Sequence, residues 1–205
     1  MLFVLTGNVQ TGKSRWLERL VSDLGQHGVP SYGVLSPGTW AESAGASADA
    51  NGYEKLGIQS VLLPDGARFC FGVRRDLAQG AETAQQESES DRACLGWQIS
   101  EVALARVNGH FRSLDLDVPM DGLPGLLVVD ELGKLEFQCG GGLTEALRLV
   151  DAGPRPTWPH ALVVVRRSLV EQAVQRFQPT WGAVETIAPC SSGREAVLGE
   201  LGVVG

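Results

Sequence analysis

The sequence lacks a basic tract, an apolar run of membrane length and any paired-cysteine motif, and each absence removes a class of function. Lys and Arg number 17 against 24 Asp and Glu, for a net charge of −7, so broad electrostatic binding to nucleic acid is not expected. No apolar stretch approaches the ~20 residues that a membrane helix needs. The opening MLFVLT has neither the basic start nor the small-residue cleavage site of a signal peptide, so the expected location is the cytoplasm. Cys70, Cys94, Cys139 and Cys190 never fall as C-x-x-C and read as isolated thiols in a reducing compartment. His27, His110 and His160 are scattered and receive no role, and no internal repeat is visible.

What is present begins at the first residues. The apolar run Leu2, Phe3, Val4 and Leu5 suits a buried parallel strand, and GNVQTGKS follows it directly. In this G-x-x-x-x-G-K-S pattern, Gly7 and Gly12 let the backbone curl so that successive N–H groups point inward at an anion. Lys13 would reach the β- and γ-phosphates of a nucleotide, and the Ser14 hydroxyl would ligate Mg²⁺. The nucleotide-binding stretch is therefore Gly7, Asn8, Val9, Gln10, Thr11, Gly12, Lys13, Ser14 and Arg15. Trp16, Leu17, Leu20, Val21 and Leu24 recur at helical spacing, predicting a helix over about 13–25 whose positive N-terminal end faces the same anion.

Further along, 29–37 reads as a second strand and 40–52 as a small, polar, mobile loop. Residues 53–73 read as two strands joined by Pro64-Asp65-Gly66, a hairpin signal. Residues 78–93 are polar and acidic and read as a solvated linker rather than a lid. WQIS adds a short strand, and 101–111, 142–153 and 168–177 read as helices. Residues 125–130, 160–167 and 181–189 read as strands, with PRPTWP at 154–159 breaking the chain. Two S-x-x-E patterns, Ser168 with Glu171 and Ser192 with Glu195, predict capping boxes. Strands alternating with helices predict a single α/β domain over 1–205: an open, mostly parallel sheet covered on both faces, with a hairpin inserted at about 52–74.

The strand LLVVD ends in Asp130, an acid able to hold the Mg²⁺ hydration shell beside the strand carrying the glycine loop. Glu131 follows, placed to orient and deprotonate water for attack on the γ-phosphorus. No N-K-x-D guanine-reading motif occurs, which disfavours a GTPase switch. A kinase stays open, with Glu131 serving an acceptor hydroxyl, and so does a non-hydrolysing nucleotide-dependent binding module.

The set FVLTGNVQTGKS, VVDELGKLEF and ALVVVRRSLVEQAVQRF resembles the THEP1-like nucleoside-triphosphatases, most specifically where VVDELGKLE matches that family's "DEIGKME" signature. The resemblance implies a P-loop NTPase with a RecA-like core that hydrolyses several NTPs to NDP and phosphate with Mg²⁺. It assigns Gly7, Gly12, Lys13 and Ser14 to phosphate and Mg²⁺, Asp130 to the metal and Glu131 to water. Lys134 matches the lysine of the signature and either braces the loop, contacts phosphate or is simply solvated. Arg166 and Arg167 stand at a strand end, where one, Arg166 first, could stabilise charge on the γ-phosphate; the alternative is a surface pair capping the strand. Arg194 falls near the family's Asn-Arg pair beside the base, but its neighbour here is Gly193. Glu54 and Lys55 stand where arginines are common in the family.

Overall fold

The computed structural model describes residues 1–8, 12–45, 48, 51–77, 96–116 and 124–203. Val9, Gln10 and Thr11, the segment 78–93 and Cys94 lie outside the described residues.

The strands are β1 (Leu2–Leu5), β2 (Ser31–Leu35), β3 (Gly38–Glu42), β4 (Tyr53–Leu63), β5 (Arg68–Arg74), β6 (Trp97–Ile99), β7 (Leu126–Leu132), β8 (His160–Val165) and β9 (Val184–Ile187). The helices are α1 (Lys13–Gln26), α2 (Glu101–Leu116), α3 (Thr144–Ala152), α4 (Val170–Trp181) and α5 (Ser191–Glu200). All strands join one sheet in the order β6-β5-β4-β2-β7-β8-β1-β9, with β3 pairing β4 on the edge that β2 also uses, beyond the end of β2. From β2 to β9 every pairing is parallel; those among β2, β4, β3, β5 and β6 are antiparallel.

The sheet is thus mixed, not mostly parallel as the alternation of elements suggests. The Pro64-Asp65-Gly66 turn forms, with Gly66 donating to the Leu62 carbonyl. Its two strands join the main sheet: β4 pairs with β2 and carries the antiparallel half. The polar composition of 40–52 conceals β3, because a strand at the sheet margin needs only backbone partners, and Trp40 pairs with Lys55. Neither predicted capping box forms. Arg167–Leu169 winds as a 3₁₀ turn that takes Ser168 inside it, and α5 starts at Ser191, one residue before its expected cap; neither helix has a side-chain cap hydrogen bond.

Alternation along the parallel strands divides the core. Leu2 and Val4 of β1, Leu127 and Val129 of β7, and Ala161 and Val163 of β8 face α2, α3 and α4. Phe3, Leu5, Leu126, Val128, Leu162 and Val164 face α1 and α5. Both sides of these strands are buried, which is why they read as continuous apolar runs. Among the described residues no helix is long and apolar enough to cross a membrane. Cys70, Cys139 and Cys190 are free thiols.

Two glycines separate strain from flexibility. Gly33 in β2 has φ +111°, and a Cβ there would lie 2.1 Å from the Val128 carbonyl oxygen of the neighbouring strand. Gly25 in α1 has open space around it. Gly33→Ala is expected to cost more than about 2 kcal/mol in urea unfolding, whereas Gly25→Ala gains up to about 1 kcal/mol by lowering backbone entropy in the unfolded chain. Equal effects from the two substitutions would contradict the close approach of β2 and β7.

Candidate functional site

Parallel strands send their C-terminal ends to one edge, and the connections there share a cleft of about 1120 Å³. Gly7, Asn8, Gly12, Lys13, Ser14 and Arg15 reach it after β1; Asp130 and Glu131 reach it at the end of β7. Arg166 and Arg167 follow β8, and Lys134 follows β7; all three line the cleft with exposed side chains. Arg194 does not line it. Its guanidinium donates to Asp23 of α1 at 2.8 and 2.9 Å, which commits it to holding α5 against α1.

The glycine loop enters α1 through Gly12, whose φ of 80° is the left-handed conformation that starts the helix without a side-chain cap. No acid occupies the first turn of α1, so the helix's positive end is not neutralised locally. The Lys13 ammonium curls back on the loop and donates to the carbonyls of Gly7 at 3.1 Å and Asn8 at 2.7 Å. Partial burial lowers its pKa; the Glu131 and Asp130 carboxylates oppose that shift, and the Arg166 and Lys55 cations add to it. Three cations therefore share this end of the cleft with two carboxylates.

Asp130 is 1 % exposed. Its Oδ2 accepts the Ser36 backbone N–H at 2.9 Å, and its own carbonyl accepts the Ser36 hydroxyl at 3.1 Å. Its Oδ1 is buried without a hydrogen-bond partner among the described residues. Burial first, and the Glu131 charge second, push its carboxyl up to about 7, against the lowering effect of the Ser36 N–H. The Ser14 hydroxyl also lowers it, from a position that stops short of hydrogen-bond geometry. Asp130 is not beside the loop strand, as expected from sequence, because β8 lies between β1 and β7. Ser14 and Asp130 meet above the edge of that intervening strand. Among the described residues no three His, Cys, Asp or Glu side chains cluster as a metal cage. The buried, unpartnered Oδ1 and the nearby hydroxyl instead fit a divalent cation that takes its remaining ligands from phosphate and water.

Glu131 has φ 75°, the single positive φ at a non-glycine position among the described residues. The pairing of β7 with β8 shifts register between Val129 and Leu132, so Glu131 sits in a bulge that turns its side chain out of the sheet into the cleft. A left-handed glutamate is backbone strain located where the carboxylate is presented.

Two supporting residues escape sequence reasoning. Ser36 lies in no motif, and only the pairing of β2 with β7 brings it to Asp130. Glu136 stands in the stretch VVDELGKLE but looks like one more surface acid. It is in fact buried: Oε2 accepts the Gly133 N–H at 2.7 Å and Oε1 the Leu143 N–H at 2.8 Å. Burial raises its pKa while those two N–H groups hold it down. A Cβ on Gly142 would collide with its Oε1 at 2.0 Å. Its periodic spacing could have flagged it, since Leu132, Leu135 and Phe137 around it are all core residues.

Two outcomes test this geometry. With a folded-state pKa of about 7 and an unfolded value of ~3.9, Asp130 binds more protons when folded, so its contribution to stability is lost as pH rises from about 4 to about 7. Without Mg²⁺ or nucleotide, Asp130→Asn should be progressively more stable than wild type across that window, by a few kcal/mol, with no further change above about pH 8. A difference independent of pH would rule out the raised carboxyl. Glu131→Gly should raise Tm by a few degrees by relieving roughly 1–2 kcal/mol of backbone strain. An unchanged or lower Tm would mean the strain is not there.

Comparison with family models, with curated proteins and with solved structures returns no match.

Proposed function

We propose that this chain is a Mg²⁺-dependent nucleoside-triphosphatase of the P-loop type with a RecA-like core, hydrolysing ATP, GTP and other NTPs to NDP and phosphate. The observation that carries the reading is the meeting of two separate chain segments at one sheet edge: the glycine loop with Lys13 and Ser14, and the end of β7, with the buried Asp130 and its unpartnered oxygen beside the strained, outward-facing Glu131. The resemblance to the THEP1-like nucleoside-triphosphatases supports the same conclusion from sequence.

In this reading the loop backbone N–H groups and the Lys13 ammonium hold the phosphates. Ser14 and Asp130 would hold Mg²⁺, which when bound polarises phosphate oxygens and compensates the buried carboxylate. Glu131 accepts a proton from water as the water oxygen bonds to the γ-phosphorus and the bond to the β-bridging oxygen breaks. Arg166, exposed at the end of β8 and close enough to act on Lys13, meets the charge that develops. The net charge of −7 disfavours broad binding to nucleic acid or to an anionic membrane surface. A small-molecule kinase is the second reading, favoured by the aromatic residues that line the cleft on the Glu131 side, which water attack does not need.

The test is phosphate release with Mg²⁺ from ATP, GTP, CTP and UTP, with no acceptor present. Wild type should release phosphate from several of them. Lys13→Ala and Glu131→Gln should each lose on the order of 10²–10⁴-fold, and Glu131→Gln should still bind nucleotide. No release from wild type, or full activity in Glu131→Gln, sinks the hydrolase reading.

A further inference from the structure

One side of the cleft is built by the antiparallel strands, away from the glycine loop. β4 is eleven residues long and β2 only five; β2 pairs with Val61, Leu62 and Leu63 of β4. The N-terminal half of β4 therefore runs past the C-terminal end of β2. It carries β3 on one side and β5 with β6 on the other, and together they stand as a wall above the sheet edge. The cleft-facing residues of this wall include Trp40, Lys55, Ile58, Phe71, Trp97 and Ile99.

The wall is a continuous row of cations and aromatic rings. It starts at the glycine loop, where the Arg15 guanidinium lies 5.8 Å from the Trp40 ring centroid. Trp40 and Lys55 are directly paired across β3 and β4, after a register shift at Thr39 and Trp40. The two side chains close over Gly38: a Cβ there would lie 2.6 Å from Trp40 Nε1 and 2.7 Å from Lys55 Cε. Lys55 continues to Trp97 of β6, with its Nζ 5.1 Å from that ring centroid. Among the described residues Lys55 forms no ion pair. Its charge instead acts on Lys13 and Asp130. Trp40, Lys55 and Trp97 are all half-buried and line the cleft.

Position decides what such a ligand is not. The wall lies beyond β2, on the Glu131 side of β1, whereas β9 lies on the other side. A nucleotide with its terminal phosphate toward Glu131 has its base at the opposite end of the molecule.

We propose that the Trp40–Lys55–Trp97 row binds a second ligand, a planar heteroaromatic ring carrying a phosphate, beside the nucleotide on the side from which Glu131 works. The rings supply stacking faces, and Lys55 and Arg15 supply the charge for the anionic group. The proposal takes from the nucleotide reading only the occupant of the neighbouring loop.

Calorimetric titration of GMP and AMP tests it, using full-length protein saturated with a non-hydrolysable NTP analogue so that the glycine loop is filled. One mononucleotide should bind at a single additional site with a Kd below about 1 mM, in the range of an ordinary metabolite site. Guanosine, which lacks the anion, and ribose 5-phosphate, which lacks the ring, should bind at least 10-fold more weakly. Trp97→Ala and Lys55→Met should each weaken the mononucleotide at least 10-fold, Trp97→Phe should restore most of the loss, and Trp97→Ala should leave analogue affinity within twofold. Absence of a second binding event overturns the proposal. So does a second event that both variants leave unchanged, or equal binding of ribose 5-phosphate. If the analogue itself fails to bind, the nucleotide reading falls separately, and the same titration on Lys13→Ala protein without analogue decides the wall alone.

Discussion

A carboxylate taken out of water at the edge of a parallel sheet is the constraint around which this cleft is arranged. Asp130 could be neutralised by a salt bridge, but none is built for it among the described residues. It receives one backbone N–H, from Ser36, and its other oxygen is left without a partner among the described residues. Such an arrangement is costly unless something else supplies positive charge to that oxygen. The surroundings answer that need from two directions, with Lys13 and the Ser14 hydroxyl at the start of α1 and Lys55 reaching in from β4. The double hydrogen bond between Ser36 and Asp130 also locks the ends of β2 and β7 together, so the same contact that holds the acid fixes where the antiparallel half of the sheet departs.

The two halves of the sheet divide the labour. The parallel half is buried on both faces and brings loops to one edge; its strands have no freedom to carry specificity in their side chains. The antiparallel half exposes one face of β4 and its neighbours to the cleft, and there side chains rather than loops form the surface. Strain concentrates at the seam. Glu131 adopts its left-handed backbone in the bulge that ends β7, the last strand before β2 and the antiparallel extension.

Legibility from sequence follows the same division. The parallel strands and the helices between them are readable because burial on both faces forces continuous apolar runs, and because the glycine loop and the Asp130-Glu131 pair are contiguous in the chain. The hairpin is readable from its turn. Sequence could not show that β8 separates β1 from β7, since strand order is set by packing of crossover helices and not by any local residue pattern. β3 is hidden because its composition is that of a loop, and its order comes from hydrogen bonds to β4. Ser36 carries no local signature at all. The failed capping boxes have a different cause. The S-x-x-E pattern is present at both places, but a 3₁₀ turn at 167–169 and an early start at Ser191 use the backbone differently.

Glu136 has a consequence for how this chain can vary. One buried carboxylate receives the N–H of Gly133 with one oxygen and that of Leu143 with the other, so the segment between them is a closed ring with a side chain as its clasp. A ring of this kind has a fixed circumference. Adding or removing a residue within 134–142 would pull one N–H off the carboxylate and leave a buried charge half satisfied. The connection between β3 and β4 is closed differently: the Ser43 N–H donates to the Gly52 carbonyl, joining its ends at the backbone, and residues added beyond that bond do not touch the core. Change in chain length should therefore accumulate at the top of the wall, where a ligand would be met, while the rim that carries Glu131 keeps its length.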